Sequence, residues 1–412
     1  MFKRKIALVV PLLLLSCSSS KDFTGFSYDP PGVTNTKGAP VTEQMYRDIG
    51  IGESKVWVSN RMEGGRLSNF QQLSEDAFEV TIAPENAPIN NSTWYAFRIW
   101  SEKTRTISLT LTYVDGRHRY IPKISANGTT YSLSDVEYDS STGSATFPIT
   151  ISPVKKTISA QNLPGTRFSD LEDYIATDLP DFVTVKTAGT SNYGNPVYEL
   201  IVDETVPDQP KKAILLLSRQ HPPEISGYHT YQVFFERMLA NDDLAVAFRK
   251  KFLIYAFPML NPDGVIHGHW RHNAMGVDLN RDWKNFNQPE TRAVRDALTP
   301  LASDPDIEVL YGLDFHSTDE NLFYPINKEV PTKVDNFTQQ WFPLVDADNP
   351  ALNFRSEEFD TSSPISKNWM FKTFGCDALT FEVDDELTTA QIQQLGKSAA
   401  ESFMKLMLDK TK

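Results

Sequence analysis

In the C-terminal half of the chain, apolar runs of strand length end abruptly in clusters of histidine, carboxylate and arginine. The clearest is KKAILLLSRQHPPEISG. Lys211 to Leu217 reads as a buried strand, and residues 218–227 as the polar loop it enters. The pattern recurs at FLIYAFPMLNPDG, at LYGLDFHSTDE and at ALTFEVDDE, with helical patterns such as YHTYQVFFERMLAND between them. Strands alternating with helices limit this half to an α/β sheet, where ligands bind beyond the strands' C-terminal ends. The polar clusters fall at those ends.

His221 and Glu224 stand three apart with Pro222 and Pro223 between them. Proline lacks the N–H a helix interior needs, so this pair acts from a loop and not from a helix face. Alone it also fits an ordinary polar loop. Other clusters change its weight: residues 261–283 (NPDGVIHGHWRHNAMGVDLNRDW), residues 310–320, and residues 363–386. A hydrolytic zinc site needs three protein ligands and one open position for water. His221, Glu224 and His316 would supply such a set. A separate carboxylate must take the water's proton, and Glu382, among apolar neighbours, fits. Fixed positive charge must steady an oxyanion and grip substrate, for which Arg271 and Arg281 are candidates.

These clusters resemble the zinc carboxypeptidases of the M14 type, most closely the cytosolic-carboxypeptidase branch with its HPGE and NPDGV…R…G.DLNR.W patterns. The resemblance runs from about Phe168 to the C-terminus. It implies one zinc ion on His221, Glu224 and His316, with Glu382 as general base. It places Arg271 on the arginine that polarises the scissile carbonyl. Asn280 and Arg281 fall on the pair that grips a terminal carboxylate, and Asp278 on the acid orienting a ligand histidine. The implied fold is an α/β zinc-carboxypeptidase-like domain, a mixed sheet with helices on both faces, preceded by a small all-β sandwich.

Two positions depart from the wider family. Pro223 stands where many digestive members carry an arginine, which the cytosolic-type branch lacks too. No tyrosine lies between Tyr324 and Glu382, so the mobile capping tyrosine of the digestive enzymes has no counterpart there. Trp369 lies thirteen residues before Glu382, the family's spacing. In that register Lys367 lies on the floor of the specificity pocket, where it would favour an acidic C-terminal residue.

The N-terminal half reads differently. MFKRKIALVVPLLLLSC has a basic start, then an apolar run from Ile6 to Leu15 too short to span a bilayer, and its LLSC resembles the bacterial lipobox. That resemblance makes residues 1–16 a signal peptide and Cys17 the lipid-anchored first residue. It predicts an extracytoplasmic protein on the periplasmic face or outer membrane of a Gram-negative bacterium. Residues 17–50 read as a tether rich in Ser, Gly, Thr and Pro. Residues 51–160 read as a β-sandwich domain, with hairpins predicted at Asp115-Gly116 and Asn127-Gly128. Residues 165–412 form the catalytic domain, entered by a helix capped at Ser169. Once Cys17 is assigned, Cys376 has no disulfide partner.

A formal charge of −13 argues against a nucleic-acid partner. The predicted partner is a peptide with a free C-terminal carboxylate. Asp314 reads equally as a turn acid or as an orienter of a histidine. Three histidines at 267, 269 and 272 read as loop residues, His118 and His229 as structural, and Asp384 to Glu386 as a solvated run. Two other functions stay in view: a zinc amidohydrolase acting on cell-wall peptides or acylated amino acids, and an inactive peptide- or glycan-binding lipoprotein.

Overall fold

The computed structural model describes residues 35–206, 210–358 and 360–412. The signal-like run, Cys17 and the start of the tether lie outside the described residues.

Alternation in RTISLTLTY turns Ile107, Leu109 and Leu111 into a sandwich core and leaves Thr106 and Thr110 outward, each paired with a cross-strand threonine at 2.9 Å. One sheet runs in the order Asp48–Ile51, Val56–Ser59, Ala96–Ser101, Lys156–Ser159, Lys123–Ser125, Ser132–Leu133. The other runs Asn69–Ser74, Ala77–Ile82, Arg105–Tyr113, Ser144–Ile151, Glu137–Asp139. The Asn127-Gly128 turn joins a hairpin, with Lys123 opposite Leu133. The Asp115-Gly116 turn does not. Strand Arg105–Tyr113 pairs with Ala77–Ile82 and Ser144–Ile151, and the chain after Gly116 crosses to the other sheet. A Cβ on Gly116 would stand 2.7 Å from Trp270, so this glycine serves a close approach between domains and not a hairpin.

The catalytic domain is built on an eight-stranded mixed sheet. Its order is Val183–Thr190, Pro196–Val202, Phe252–Phe257, Lys211–Ser218, Ile307–Thr318, Asp377–Asp384, Leu322–Pro325, Arg355–Ser356. The four inner strands, from Phe252–Phe257 to Asp377–Asp384, are parallel. Both faces are covered, which is why Lys211–Ser218 reads as an unbroken apolar run. Ile214 and Leu216 pack on the side of helices Ile225–Leu239 and Thr389–Lys410. Ala213, Leu215 and Leu217 pack on the side of Pro289–Leu298 and Ser366–Phe374. No described helix is long and apolar enough to cross a membrane.

Two sequence expectations change at the domain boundary. Helix Phe168–Thr177 is capped at Arg167, not Ser169. Its first amides are taken from outside: the β domain's Glu63 accepts from the N–H of Phe168 and Ser169, and from the Ser169 hydroxyl at 2.7 Å. A carboxylate at a helix N-terminus is favoured by the orphan amides there, whichever part of the chain supplies it. The described part of the tether is irregular over residues 35–47 but docked, and residues 48–50, read as its end, begin the first strand of the β domain. Thr36 is buried, accepting from Asn287 Nδ2 at 2.8 Å and, through its carbonyl, from Gln288 Nε2 at 2.8 Å.

Candidate metal centre and its cleft

The central strand ends at Ser218, and Arg219, buried with φ +56°, turns the chain. Its Nε donates to the Pro222 carbonyl at 2.9 Å, while its guanidinium lies 4.8 Å over the ring of Tyr228. The two prolines are thus held in a short tied loop, and Glu224 sits at the cap position of helix Ile225–Leu239. Gly227 lets that helix meet the neighbouring strand: a Cβ there would lie 2.2 Å from the His316 carbonyl oxygen.

That approach brings His221, Glu224 and His316 together, with ligand atoms all within 4.8 Å of one another. Glu224 Oε1 lies 2.7 Å from His221 Nδ1, and Oε2 lies 2.7 Å from His316 Nδ1. Each outer ring nitrogen meets a carboxylate: His221 Nε2 to Asp278 at 2.8 Å, and His316 Nε2 to Asp314 at 2.8 Å. Asp314 therefore does for His316 what Asp278 does for His221, which decides the alternative left open by the sequence. Carboxylates behind both imidazoles fix the rings and leave both Nδ1 atoms aimed at one point. Two imidazoles and a carboxylate so aimed match the donor set of a catalytic zinc site. Burial disfavours charge on Glu224, yet the two histidines outweigh it and hold the carboxyl well below its ordinary range. Burial likewise opposes charge on His316, but Asp314 and Glu224 outweigh it and hold its pKa well above the ordinary histidine range.

His316 pairs in register with Glu382 on the adjacent strand, Asp377–Asp384. Glu382 is half-buried, and its Oε2 is shut from water with no hydrogen-bond partner. Burial pushes its carboxyl up to about 7, against the lowering influence of His316. Arg271 enters from the long loop after Phe257, its Nε bonded to Asp278 at 2.7 Å and its Nη1 4.0 Å from Glu224. Asp278 thus binds a ligand histidine and this arginine together. Asn280 is fixed by its backbone N–H to Asp278 at 2.8 Å and by the Ser366 amide to its Oδ1 at 2.9 Å. Arg281 follows, its Nη1 on the Asn280 carbonyl at 2.8 Å.

All these groups except Asp278 and Asp314 line one cleft of about 320 Å³. Asn90, Ser92 and Arg119 of the β domain form part of its wall, a contribution the motifs gave no sign of. A larger groove, about 490 Å³ and lined by Tyr131, His229 and Glu236, contains none of the triad, Glu382 or the cleft arginines.

Lys367, expected on the floor of the specificity pocket, is not one of the side chains lining the cleft. It is fully buried in the first turn of helix Ser366–Phe374, donating to the Pro325 carbonyl at 3.3 Å. Burial lowers its pKa to about 7, against the pull of Asp360 and Asp377. Its neighbours Ile365, Tyr324 and Thr380 reach the cleft. Residues 384–386 are a solvated run only in part, since Glu386 is exposed and Asp385 is not. Asp385 is buried and takes the Arg119 guanidinium at 2.6 Å, and Glu386 takes Lys123 Nζ at 2.7 Å. An aspartate after a strand looks solvated in sequence because its partner lies over 260 residues away. Cys376 is buried and free.

The model for the zinc carboxypeptidase family matches residues 169–402. This chain belongs to that family. Residues 58–161 match the N-terminal domain of cytosolic carboxypeptidases. Among relatives, the chain is 32% identical to cytosolic carboxypeptidase 6 of Caenorhabditis elegans over 160 residues, 36% of this chain and 35% of that one. It is 26% identical to human cytosolic carboxypeptidase 2 over 273 residues, 58% of this chain and 29% of that one. The matches thus span about a third of those relatives' length. In fold it is similar to a metallo-carboxypeptidase from Burkholderia cenocepacia (TM-score 0.72, 17% identity, 86% of this chain and 100% of that one). It is also similar to one from Pseudomonas aeruginosa, solved with (2-guanidinoethylmercapto)succinic acid (TM-score 0.69, 17% identity, 86% and 100%).

Proposed function

We propose that this protein is a zinc carboxypeptidase that hydrolyses the last peptide bond of extracytoplasmic peptides and favours acidic C-terminal residues. The observation that carries the peptidase reading is the convergence of the His221–Glu224–His316 triad, Glu382, Arg271 and the Asn280–Arg281 pair on one cleft. A zinc ion on the triad would lower the pKa of a water to about 7 and polarise a carbonyl.

The chain's own groups do the rest. Glu382, which lines the cleft, takes the proton of the attacking water and returns it to the leaving amine. Arg271, held at Nε by Asp278, presents its other N–H groups to the carbonyl oxygen as charge develops there. Asn280 and Arg281 hold the terminal carboxylate, so cleavage falls one residue from the end.

The acidic preference rests on Lys367, whose buried amine donates to the carbonyl of Pro325, the residue after Tyr324 of the cleft wall. A substrate carboxylate nearby would favour its charged form. The extracytoplasmic location rests on residues 1–17 alone.

A panel of short peptides differing only in the last residue, with Glu382→Gln as the blank, tests both levels. Release of terminal Glu or Asp should outpace Leu and Arg, and Lys367→Met should erase the difference. Equal rates for Glu and Leu would end the acidic reading, and no turnover of any peptide would end the peptidase reading. Palmitate labelling lost in Cys17→Ala checks the anchor.

A further inference from the structure

Arg271 stands on a loop, not on a strand or helix, yet the proposed chemistry asks it to meet a carbonyl oxygen in a fixed place. What holds that loop lies in the other domain. Glu85, from the β domain, is fully buried. Its Oε2 accepts the Trp270 N–H at 2.8 Å, and its Oε1 accepts those of Arg271 at 3.0 Å and His272 at 2.7 Å. Three consecutive amides on one carboxylate fix the peptide planes from which the Arg271 side chain departs. Burial works against the charge on Glu85, but His269, His272, Arg66 and the Trp270 amide outweigh it, so the acceptor stays ionised.

The surrounding contacts repeat the pattern. Trp270 Nε1 donates to the Trp94 carbonyl at 3.0 Å, and Asn86 Nδ2 to the Gly276 carbonyl at 3.0 Å. Gly268, with φ +62°, lies so near the β domain that a Cβ would stand 2.6 Å from the Gly64 carbonyl oxygen. The histidines of HGHWRH belong to this interface. His272 Nδ1 meets Asn86 Oδ1 at 2.6 Å, and His269 Nδ1 meets the His272 carbonyl at 3.0 Å.

We propose that Glu85 is the positioning residue for Arg271: the β domain, through this carboxylate, sets the backbone of the arginine that polarises the scissile carbonyl. The proposal rests on the peptidase reading for its catalytic meaning, and on the three amide bonds for its geometry. Arg271 is then pinned at both ends, at its backbone by Glu85 and at Nε by Asp278. Charge-assisted bonds to buried amides are strong, and without an acceptor those amides would have to reach water.

The test uses the full chain with Glu85→Ala, Glu85→Gln, Arg271→Ala and the double variant Glu85→Ala/Arg271→Ala. In zinc-free protein, hydrogen exchange at Trp270, Arg271 and His272 should accelerate in Glu85→Ala by about 100-fold or more, with strand Lys211–Ser218 unchanged. On a peptide ending in Glu, kcat should fall about 100-fold with KM within about 3-fold, because misplacing the arginine is felt in the transition state. Glu85→Gln should fall between, since its remaining oxygen can still serve Arg271 and His272. In the Arg271→Ala background, Glu85→Ala should cost less than about 3-fold, as expected of residues acting as one unit.

Additive losses would mark Glu85 as mere interdomain glue and overturn the proposal, as would exchange that stays slow. Should Glu85→Ala fail to fold, Glu85→Gln carries the same comparisons. Kinetics in Arg271→Ala equal to wild type would instead overturn the chemistry assigned to the arginine, while exchange still judges the grip.

Discussion

The His221–Glu224–His316 triad and the Arg271 loop are held in opposite ways. His221, Glu224 and His316, with Asp278 and Asp314 behind them, all belong to the α/β domain and are fixed by adjacent strand ends, a tied loop and one helix start. Arg271 rides on a loop whose amides, tryptophan and glycine contacts are satisfied by the β domain. The triad is therefore built by one domain, whereas the loop that carries Arg271 is held by two. The difference also accounts for the fold's order: the sheet supplies ligands where parallel strands diverge, and a second domain supplies rigidity where the sheet cannot reach.

Removing the base should separate these halves most sharply. Glu382→Gln should keep stoichiometric zinc, measured by metal analysis, while kcat drops by about 10²- to 10⁴-fold. Zinc lost along with activity would mean that Glu382 serves the metal and that the two halves are not separable. The sign of the pH dependence follows from the same residue. Burial lifts its carboxyl to about 7, and a bound cation favours the ionised form and draws it back down. A base works only when ionised, so kcat should rise with pH along an acid limb centred below 7. That limb should be missing from the residual rate of Glu382→Gln.

Asp278 and Asp314 sharpen the comparison, because each orients a ligand histidine but only Asp278 also binds Arg271. Asp314→Asn should weaken zinc binding by about 10- to 100-fold and leave kcat of the zinc-saturated enzyme within a few-fold. Asp278→Asn should weaken zinc similarly and lower kcat at saturating zinc as well. Competition against a chelator and steady-state kinetics measure the two quantities. Matching kinetic profiles for the two variants would remove the distinction.

How much of this was legible in the sequence follows the same division. The α/β pattern could be read from apolar runs that end in polar clusters, and the triad because the family resemblance places His221 and Glu224 in the loop after Lys211–Ser218 and His316 near the end of Ile307–Thr318, where the structure brings them together. The Asp115-Gly116 hairpin failed because a turn dipeptide reports φ and not which sheet the chain enters next, and Gly116 is there for Trp270. The cap on Phe168–Thr177 failed because Glu63 supplies it from 105 residues upstream. Glu85 was invisible for the same reason: a carboxylate that serves backbone amides has no sequence partner to be spaced against. Lys367 shows the limit of a register argument, which places a residue along the chain but not its ammonium relative to a cleft wall.

The smallest effect concerns the contact beside the base. Arg119 of the β domain holds Asp385, three residues beyond Glu382, through Nε at 3.0 Å and Nη2 at 2.6 Å, and Asp385 Oδ1 is buried without a partner. Burial raises the Asp385 carboxyl to about 7 even with the guanidinium in place. Arg119→Met removes the cation and keeps the stem, so the ionised carboxylate is left buried and unpaired and its pKa rises further. An acid whose folded pKa is raised takes up a proton at low pH and loses its penalty there; as pH climbs through that value the penalty returns. The variant's stability deficit should therefore approach about 3 kcal/mol at pH 8 and shrink at pH 5.5. Urea unfolding at both values measures it, with zinc content expected to hold because neither Arg119 nor Asp385 hydrogen-bonds a member of the triad. An equal deficit at the two pH values would show that Arg119 contributes packing and not charge, and would leave Glu85 as the interdomain contact on which the active site depends.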